Sequence, residues 1–218
     1  MLPLLTVEAL KREAIVFCEA ESHCKHNDLM RISDGKSIGT YVEQRFKNYL
    51  TGRYRCTVGS SSSGIDLPDP EVNTDIKVTS CNLPQSSCPF KSPRQKIFGL
   101  GYNLLVFVYE KNDLPDSCQL LFKACTFIDK SRTADYITTK HLREMLRDGA
   151  NKEELMAYLA DRSLPGDEIA YASLADEILR TPPQLGYLVI SNALQWRLHY
   201  SRVITLTETV EGITTHAW

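Results

Sequence analysis

Residues 64–80 read GIDLPDPEVNTDIKVTS, and the interpretation of the whole chain depends on this stretch. Apolar and polar side chains alternate from residue 73 to 79, which predicts a half-buried strand. Asp75 and Lys77 lie two positions apart on it, so both side chains point to the same face. Asp66 lies nine residues before Asp75, on what would be the neighbouring strand of a hairpin. Folding of that hairpin brings two carboxylates and one ammonium close together.

Paired carboxylates beside a lysine indicate a particular chemistry. Two carboxylates and a main-chain carbonyl, here that of Ile76, form the oxygen-rich site that Mg²⁺ accepts while it keeps several waters. A lysine next to them orients or helps to deprotonate an attacking water and stabilises a pentavalent phosphate. Asp66, Asp75 and Lys77 are therefore candidates for phosphodiester hydrolysis. The alternative is an ion-pair network on the surface of a strand, which explains most chance occurrences of D-X-K.

Helical periodicity predicts two helices before this stretch. The first covers residues 5–20 with Thr6 as its N-cap, and the second begins after an N-cap at Ser37 and ends at Gly52. A polar loop joins the two helices. Residues 54–58 alternate in the manner of a strand.

Strands and helices alternate after residue 80 as well. Residues 84–93 contain three prolines and predict a polar loop, whereas the apolar run at 102–109 is typical of a central strand. The other predicted elements are a short helix at 94–98, a strand at 119–128, helices at 139–148, 151–161 and 167–180, and strands near 186–190 and 195–207. This order predicts an α/β or α+β domain with a mixed sheet.

The net charge of −2 conceals an uneven distribution along the chain. Residues 31–58 carry a net charge of +4, residues 59–76 a net charge of −4, and residues 77–111 again +4. The rest of the chain sums to −6. A positive surface with an acidic centre suits a polyanion together with a metal ion. The alternative is a scatter of charges that only solvate the surface.

Length and composition exclude several classes of protein. A chain of 218 residues favours one domain, and 43% hydrophobic with 24% charged residues argues against disorder and fibrous structure. The longest strongly apolar run, Leu104 to Tyr109, is too short for a bilayer, and the N-terminus does not resemble a signal peptide. Seven cysteines, an odd number, favour reduced thiols and a cytoplasmic location. The sequence contains no phosphate-binding glycine loop, so we expect no nucleotide cofactor.

The order and spacing of Asp66, Asp75 and Lys77 resemble the PD-(D/E)XK nuclease superfamily, most closely its type II restriction endonucleases. The resemblance covers residues 37–110 and implies a restriction-endonuclease-like core, a central mixed β-sheet flanked by helices. It implies that Asp66 is the first metal-binding acid, Asp75 the second and Lys77 the catalytic lysine. Glu43 suits the acid that the family often places on an N-terminal helix beside the site.

The resemblance also implies a reaction and partners. The expected activity is Mg²⁺-dependent, sequence-specific hydrolysis of double-stranded DNA that leaves 5′-phosphate and 3′-hydroxyl ends, and Mn²⁺ is expected to substitute for Mg²⁺. A homodimer is expected because two-fold symmetry matches a palindromic site. We expect a cytoplasmic prokaryotic enzyme whose residues 1–218 form a single nuclease domain. Its catalytic core would cover about 37–130, and residues 131–218 would serve recognition or dimerisation.

One ambiguity concerns the first acid of the motif. A literal Pro-Asp pair occurs at Pro68 and Asp69, six residues before Asp75. Six residues leave little room for a turn and enough strand to bring the carboxylates together. We therefore prefer Asp66, with Asp69 at the tip of the hairpin.

Two other functions fit the same residues. A DNA repair or junction-resolving endonuclease has the same core and differs in its substrate. A non-catalytic DNA-binding protein keeps the fold and does not cleave, although clustered carboxylates facing a phosphate backbone argue against it.

Polar and basic side chains near the motif are candidate DNA contacts. Serines before Asp66 can bind phosphates through backbone N–H and hydroxyl groups. Asn, Gln and Ser after the predicted strand can read bases or hold the backbone, and basic residues of the short helix can bind phosphate. The candidates are Ser60, Ser61, Ser62, Ser63, Ser80, Asn82, Gln85, Ser86, Ser87, Lys91, Arg94, Gln95 and Lys96. The alternatives are a flexible loop, an ordinary polar loop and a solvated helix face.

Overall fold

A computed structural model describes residues 1–59, 64–88, 92–191 and 196–218. Its helices are α1 (Val7–Ser22), α2 (Gly35–Thr51), α3 (Arg94–Phe98), α4 (Tyr136–Arg147), α5 (Lys152–Asp161), α6 (Glu168–Arg180) and α7 (Ser201–Ile204). Its strands are β1 (Thr74–Ser80), β2 (Gln85–Ser87), β3 (Asn103–Asp113), β4 (Cys118–Ile128), β5 (Val189–Ser191), β6 (Arg197–His199) and β7 (Ile213–Ala217). Within these described ranges, no helix has the length and apolar character to cross a membrane.

A four-stranded sheet in the order β1-β3-β4-β7 forms the centre of the fold. β1 and β3 are parallel, whereas β3 with β4 and β4 with β7 are antiparallel, so the sheet is mixed. Parallel neighbours need a crossover connection, and the segment with β2 and α3 provides it. The prediction of a mixed sheet flanked by helices is confirmed. β1, which carries the candidate motif, forms one edge of this sheet.

The central strand β3 is buried on both faces because its side chains alternate between two hydrophobic cores. Phe107 packs against α1 and α2, and its ring centroid lies 5.9 Å from that of Phe17 and 5.0 Å from that of Phe46. Leu104 and Val106 point to the opposite face, where the C-terminal helices pack. Burial on both faces explains why this strand is a continuous apolar run in the sequence.

A second, three-stranded antiparallel sheet lies in the order β2-β6-β5. Its register pairs Gln85 of β2 and Val189 of β5 with the same residue, His199 of β6. It therefore joins the loop after β1 to the C-terminal part of the chain. The sequence predicted only a loop where β2 lies, because three residues are too few for a periodic pattern.

The N-cap of α1 agrees with the prediction, whereas that of α2 differs from it. Thr6 caps α1 as predicted, and its hydroxyl accepts a hydrogen bond from Ala9 N–H at 3.2 Å. The prediction of Ser37 as the cap of α2 is wrong, because the N-cap is Asp34 and the helix begins at Gly35. The Asp34 carboxylate accepts from the backbone N–H of Ser37 at 2.9 Å. The carboxylate of Asp34, three residues before Ser37, therefore caps the helix in place of the predicted hydroxyl.

Two strand predictions are wrong. Residues 54–58 form no strand, since their one ladder contact is an isolated bridge from Arg55 to Leu4. The strand predicted at 195–207 ends at His199, and α7 follows it. β7 was not predicted, because a short edge strand with few apolar residues has a weak pattern and depends on its pairing with β4.

Candidate active site

The structure brings together the two aspartates of the motif. Asp75 extends from β1, and Asp66 immediately precedes Leu67, whose backbone pairs with that of Thr74. Asp66 Oδ2 accepts a hydrogen bond from Ile76 N–H at 2.8 Å, and its carboxyl group lies within hydrogen-bonding reach of Asp75. The expected hairpin thus exists as a single bridge rather than as two full strands.

Asp69, the other possible first acid, does not join this group. Its carboxylate accepts a hydrogen bond from the backbone N–H of Thr57 at 2.7 Å. Its main-chain carbonyl accepts from Val72 and Asn73 in the turn before β1. The geometry therefore favours Asp66 as the partner of Asp75, with Asp69 in a structural role near the tip of the turn.

Lys77 lies beside Asp75, as expected for alternate residues of one strand. Its Nζ is 2.7 Å from Asp75 Oδ2. Burial lowers the pKa of Lys77, but Asp75 and Asp66 together raise it more, so the net shift is upward. Lys77 is therefore a charged ammonium at neutral pH.

Burial sets the protonation of the carboxyl pair. It raises the pKa of Asp75 to about 7, although the ammonium of Lys77 acts in the opposite direction. Burial also tends to raise the pKa of Asp66, but hydrogen bonds from Asp75, Lys47 and the Ile76 N–H outweigh it, so that pKa is lowered. Below about pH 7 the pair therefore holds one proton, which a bound cation would displace.

Glu43 lies beside the pair but is held by a lysine that the sequence analysis missed. Lys47 Nζ is 2.5 Å from Glu43 Oε1 and 2.5 Å from Asp66 Oδ1. Lys47 follows Glu43 by one helical turn on α2, so both side chains project from the same face. That spacing was the available signal.

The carboxyl pair fits a magnesium ion. Mg²⁺ is usually bound by one or two carboxylates while it keeps several waters, and Asp66 with Asp75 supplies two carboxylates. Ile76 N–H points away from β3 toward Asp66, and the carbonyl of a strand residue points to the same side as its N–H. The Ile76 carbonyl therefore faces the open edge of the sheet. No group of three or more His, Cys, Asp and Glu side chains in the described part of the chain is arranged to hold a metal.

A groove of about 1020 Å³ begins at Lys77 and runs between the start of α2 and the small sheet. Its basic lining residues are Lys36, Lys77, Lys111 and Arg197, against the acidic Asp34 and Asp113. Lys111 is paired with Asp113, whereas the guanidinium of Arg197 has no hydrogen bond or ion pair to any residue that the structure describes. The sequence analysis missed Arg197 because nothing local connects it to a motif more than a hundred residues earlier.

Several predicted DNA contacts line this groove. Ser80 ends β1, and Gln85, Ser86 and Ser87 form β2 beside it. The Ser86 hydroxyl is hydrogen-bonded to the phenol of Tyr200 at 2.5 Å, so its freedom to meet a ligand is reduced. Asn82 is exposed in the turn between β1 and β2, outside the groove lining.

The remaining predicted contacts lie elsewhere. Arg94 Nη2 is 2.7 Å from Glu177 of α6, and Gln95 Nε2 donates to Leu100 O at 3.2 Å. Lys96 is 2% exposed, and its ammonium lies 5.5 Å from the centroid of the Trp196 ring. α3 thus uses these side chains for contacts within the protein. The predictions on Ser60 to Ser63 and on Lys91 fall outside the described residues.

The arrangement at the edge of the sheet, a carboxyl pair and an ammonium beside a basic groove, agrees with the expectation for a type II restriction endonuclease. Comparison with known proteins leads to the same class. The model of the family described as Type II restriction enzyme NspV matches residues 4–215. A curated protein called Type II restriction enzyme NspV, from a Nostoc species, is 50% identical over 214 residues, which cover 97% of this chain and 96% of that relative.

The chain therefore belongs to the NspV family of type II restriction enzymes, which are site-specific deoxyribonucleases. This membership favours restriction over the repair, junction-resolving and non-catalytic alternatives. No solved structure matches the chain.

Proposed function

We propose that this enzyme hydrolyses double-stranded DNA at a specific sequence, with Mg²⁺ held by Asp66, Asp75 and the carbonyl of Ile76. The observation that carries the proposal is the carboxyl pair of Asp66 and Asp75, which lies beside Lys77 where a basic groove begins. A buried pair of acids is costly unless a cation compensates it. A salt-bridged strand surface gives no reason for a second, partly buried carboxylate beside Asp75.

When bound, the metal ion lowers the pKa of a coordinated water and polarises the scissile phosphate. Asp66 and Asp75 hold that ion, and the Ile76 N–H fixes the orientation of Asp66. Lys77 contributes a fixed positive charge where negative charge develops on the phosphate. Because its pKa is raised, Lys77 acts as an electrostatic partner and a hydrogen-bond donor to the attacking water rather than as its base.

The groove next to Lys77 is the proposed path of the DNA. Lys36 and Arg197 are positioned for phosphate or base contacts, and Ser80, Gln85 and Ser87 line the same wall. Arginine binds phosphate and guanine edges through two hydrogen bonds, which makes Arg197 the strongest new candidate for recognition.

The finer properties of the reaction rest on the resemblance to the PD-(D/E)XK superfamily. We propose that the products carry 5′-phosphate and 3′-hydroxyl ends, that Mn²⁺ substitutes for Mg²⁺, and that a homodimer acts in the cytoplasm. Two protomers related by a two-fold axis present one site to each DNA strand. Sedimentation of the enzyme with and without DNA tests the dimer.

Incubation of phage DNA with the wild type, Asp75→Asn and Lys77→Ala in Mg²⁺ tests the proposed function. We expect discrete fragments from the wild type, a rate at least about a hundredfold lower for each variant, and no cutting in EDTA. Asp69→Asn is the matched control, since Asp69 lies outside the carboxyl pair, and it should cut the same sites. Absence of cleavage by the wild type, or wild-type rates in both site variants, contradicts the proposal.

A further inference from the structure

A lysine occupies the gap between two of the three carboxylates of the site. Lys47 Nζ lies 2.5 Å from Glu43 Oε1 and 2.5 Å from Asp66 Oδ1, and only 5% of its side chain is exposed. Two oxygens facing one cation at such distances form the kind of gap that a metal ion also fills. Here the cation is part of the polypeptide.

The ammonium is held firmly in this gap. α2 fixes Lys47 one turn after Glu43, and the main chain before β1 fixes Asp66. The Lys47 side chain is buried, and its ammonium is paired with both carboxylates. A second metal ion bound to Glu43 and Asp66 must therefore displace a buried, paired ammonium, which is costly.

The charges of the site favour one divalent ion over two, since the five side chains sum to −1 when all are ionised. Glu43, Asp66 and Asp75 contribute three negative charges when ionised, and Lys47 with Lys77 contributes two positive charges. Lys47 neutralises one end of the row and Lys77 lies at the other end, next to Asp75. The pair formed by Asp66 and Asp75 is what remains for a metal.

We propose, resting on the proposed function, that Lys47 takes the place of a second metal ion, so that each active site binds one divalent cation and Glu43 does not ligate it. Lys47 is then a positioning residue. It holds Asp66 toward Asp75 and keeps Glu43 away from the metal. The helix acid that the family resemblance suggested as a catalytic residue has a different partner in this enzyme.

Counting bound Mn²⁺ by electron paramagnetic resonance, in the absence of DNA, tests this inference. We expect one Mn²⁺ per chain in the wild type and in Lys47→Arg, and an additional ion per chain in Lys47→Gln, which opens the gap between Glu43 and Asp66. Asp75→Asn is the control and should lower the Mn²⁺ affinity at least about tenfold. Thermal unfolding of each variant shows whether it is folded.

Glu43→Gln gives an independent readout if Lys47→Gln fails to fold. If Glu43 is not a ligand, Glu43→Gln binds one Mn²⁺ with the affinity of the wild type within about twofold, whereas loss of a ligand weakens binding at least about tenfold. Two Mn²⁺ per wild-type chain, or weakened binding in Glu43→Gln, overturns the inference. A wild type that binds two ions and cleaves DNA contradicts only the role of Lys47, whereas one that neither binds Mn²⁺ nor cleaves DNA contradicts the proposed function as well.

Discussion

At the scale of single residues, the site is a partly buried row of carboxyl groups with an ammonium group near each end. Lys47 lies between Glu43 and Asp66, and Lys77 lies beside Asp75. Removal of solvent strengthens each of these pairs and also penalises any carboxylate without a cation. Asp75 bears most of that penalty, because burial raises its pKa to about 7.

The raised pKa of Asp75 makes the metal-free protein sensitive to pH. The folded protein keeps a proton on Asp75 that the unfolded chain loses near pH 4, so stability falls as pH rises from about 4 to about 7 and levels off above that. Asp75→Asn removes this titration. We expect the melting temperature of the wild type, relative to Asp75→Asn, to be several degrees lower at about pH 8.5 than at about pH 5.5.

Thermal unfolding of both proteins in EDTA measures this difference. If Asp75 binds Mg²⁺ as proposed, Mg²⁺ should raise the melting temperature of the wild type and leave that of Asp75→Asn almost unchanged, because a ligand of the folded state stabilises it. If the difference in melting temperature between the wild type and Asp75→Asn stays constant with pH, Asp75 has no raised pKa.

At the scale of elements, the start of α4 is the junction between the central sheet and the small sheet. Asp135 is the buried N-cap of α4, and its Oδ2 accepts from Thr138 N–H at 2.8 Å. Its Oδ1 accepts from Ile190 N–H of β5 at 2.7 Å. One carboxylate thus fixes both the helix and the strand that supports the wall of the groove.

Asp135→Ala should therefore destabilise the protein by about 2–4 kcal/mol. The variant loses a helix cap and leaves the N–H of Ile190 buried without a partner, and each loss costs about 1–2 kcal/mol. Denaturant unfolding measures the change. Asp116→Ala, at an exposed turn, is the control and should change stability by less than about 0.5 kcal/mol. Equal effects of the two substitutions would contradict the role assigned to Asp135.

Gly186 allows the chain before β5 to pass directly against α4. A Cβ at this position would lie 2.2 Å from Ala134 O, a backbone atom that cannot move aside. Gly186→Ala should cost about 3 kcal/mol or more and lower the yield of folded protein. Gly35→Ala is the comparison, because a Cβ there meets no atom within 4 Å. A melting temperature of Gly186→Ala equal to that of the wild type would mean that this contact is looser than described.

At the scale of the whole molecule, the fold gathers charge that the sequence distributes. Lys36 comes from the first basic block, Lys111 from the second, and Arg197 from a region that is acidic overall. The pairing of β2 with β6 brings Arg197 to the groove. A molecule with a net charge of −2 can therefore present a basic surface to DNA.

This surface predicts a strong dependence of DNA binding on salt. In the Asp75→Asn background, which keeps the DNA intact, affinity should fall steeply as salt rises because phosphate contacts release counterions. Adding Arg197→Ala should weaken binding about tenfold. If Arg197 contacts phosphate, the substitution should also reduce the slope of log affinity against log salt concentration by about one. Fluorescence anisotropy on a fragment that the wild type cuts measures both quantities.

Arg147→Ala is the control for this experiment, because Arg147 is exposed at the end of α4 and outside the groove. Arg147→Ala should leave the DNA affinity and its salt dependence nearly unchanged. A weak salt response, or equal effects of the two arginine substitutions, would show that DNA binds elsewhere.

Local patterns were enough to predict most helices and the three long strands. The alternation in residues 73–79 predicted β1 and placed Asp75 and Lys77 on one face, because side-chain direction in a strand depends only on position. The apolar run of β3 predicted a central strand. Short edge elements such as β2 and β7 escaped prediction, since their stability comes from pairing with distant strands rather than from their own pattern.

The sequence by itself determined which chemistry to propose for the site, because a D-X-K strand preceded by an aspartate is a pattern that suits metal-assisted hydrolysis. Only the tertiary structure decided that Asp66 rather than Asp69 meets Asp75, that Lys47 occupies the carboxylate gap, and that Arg197 reaches the groove. Residue type is local information. Distances between residues far apart in the chain, and the burial that shifts a pKa, exist only after the chain has folded.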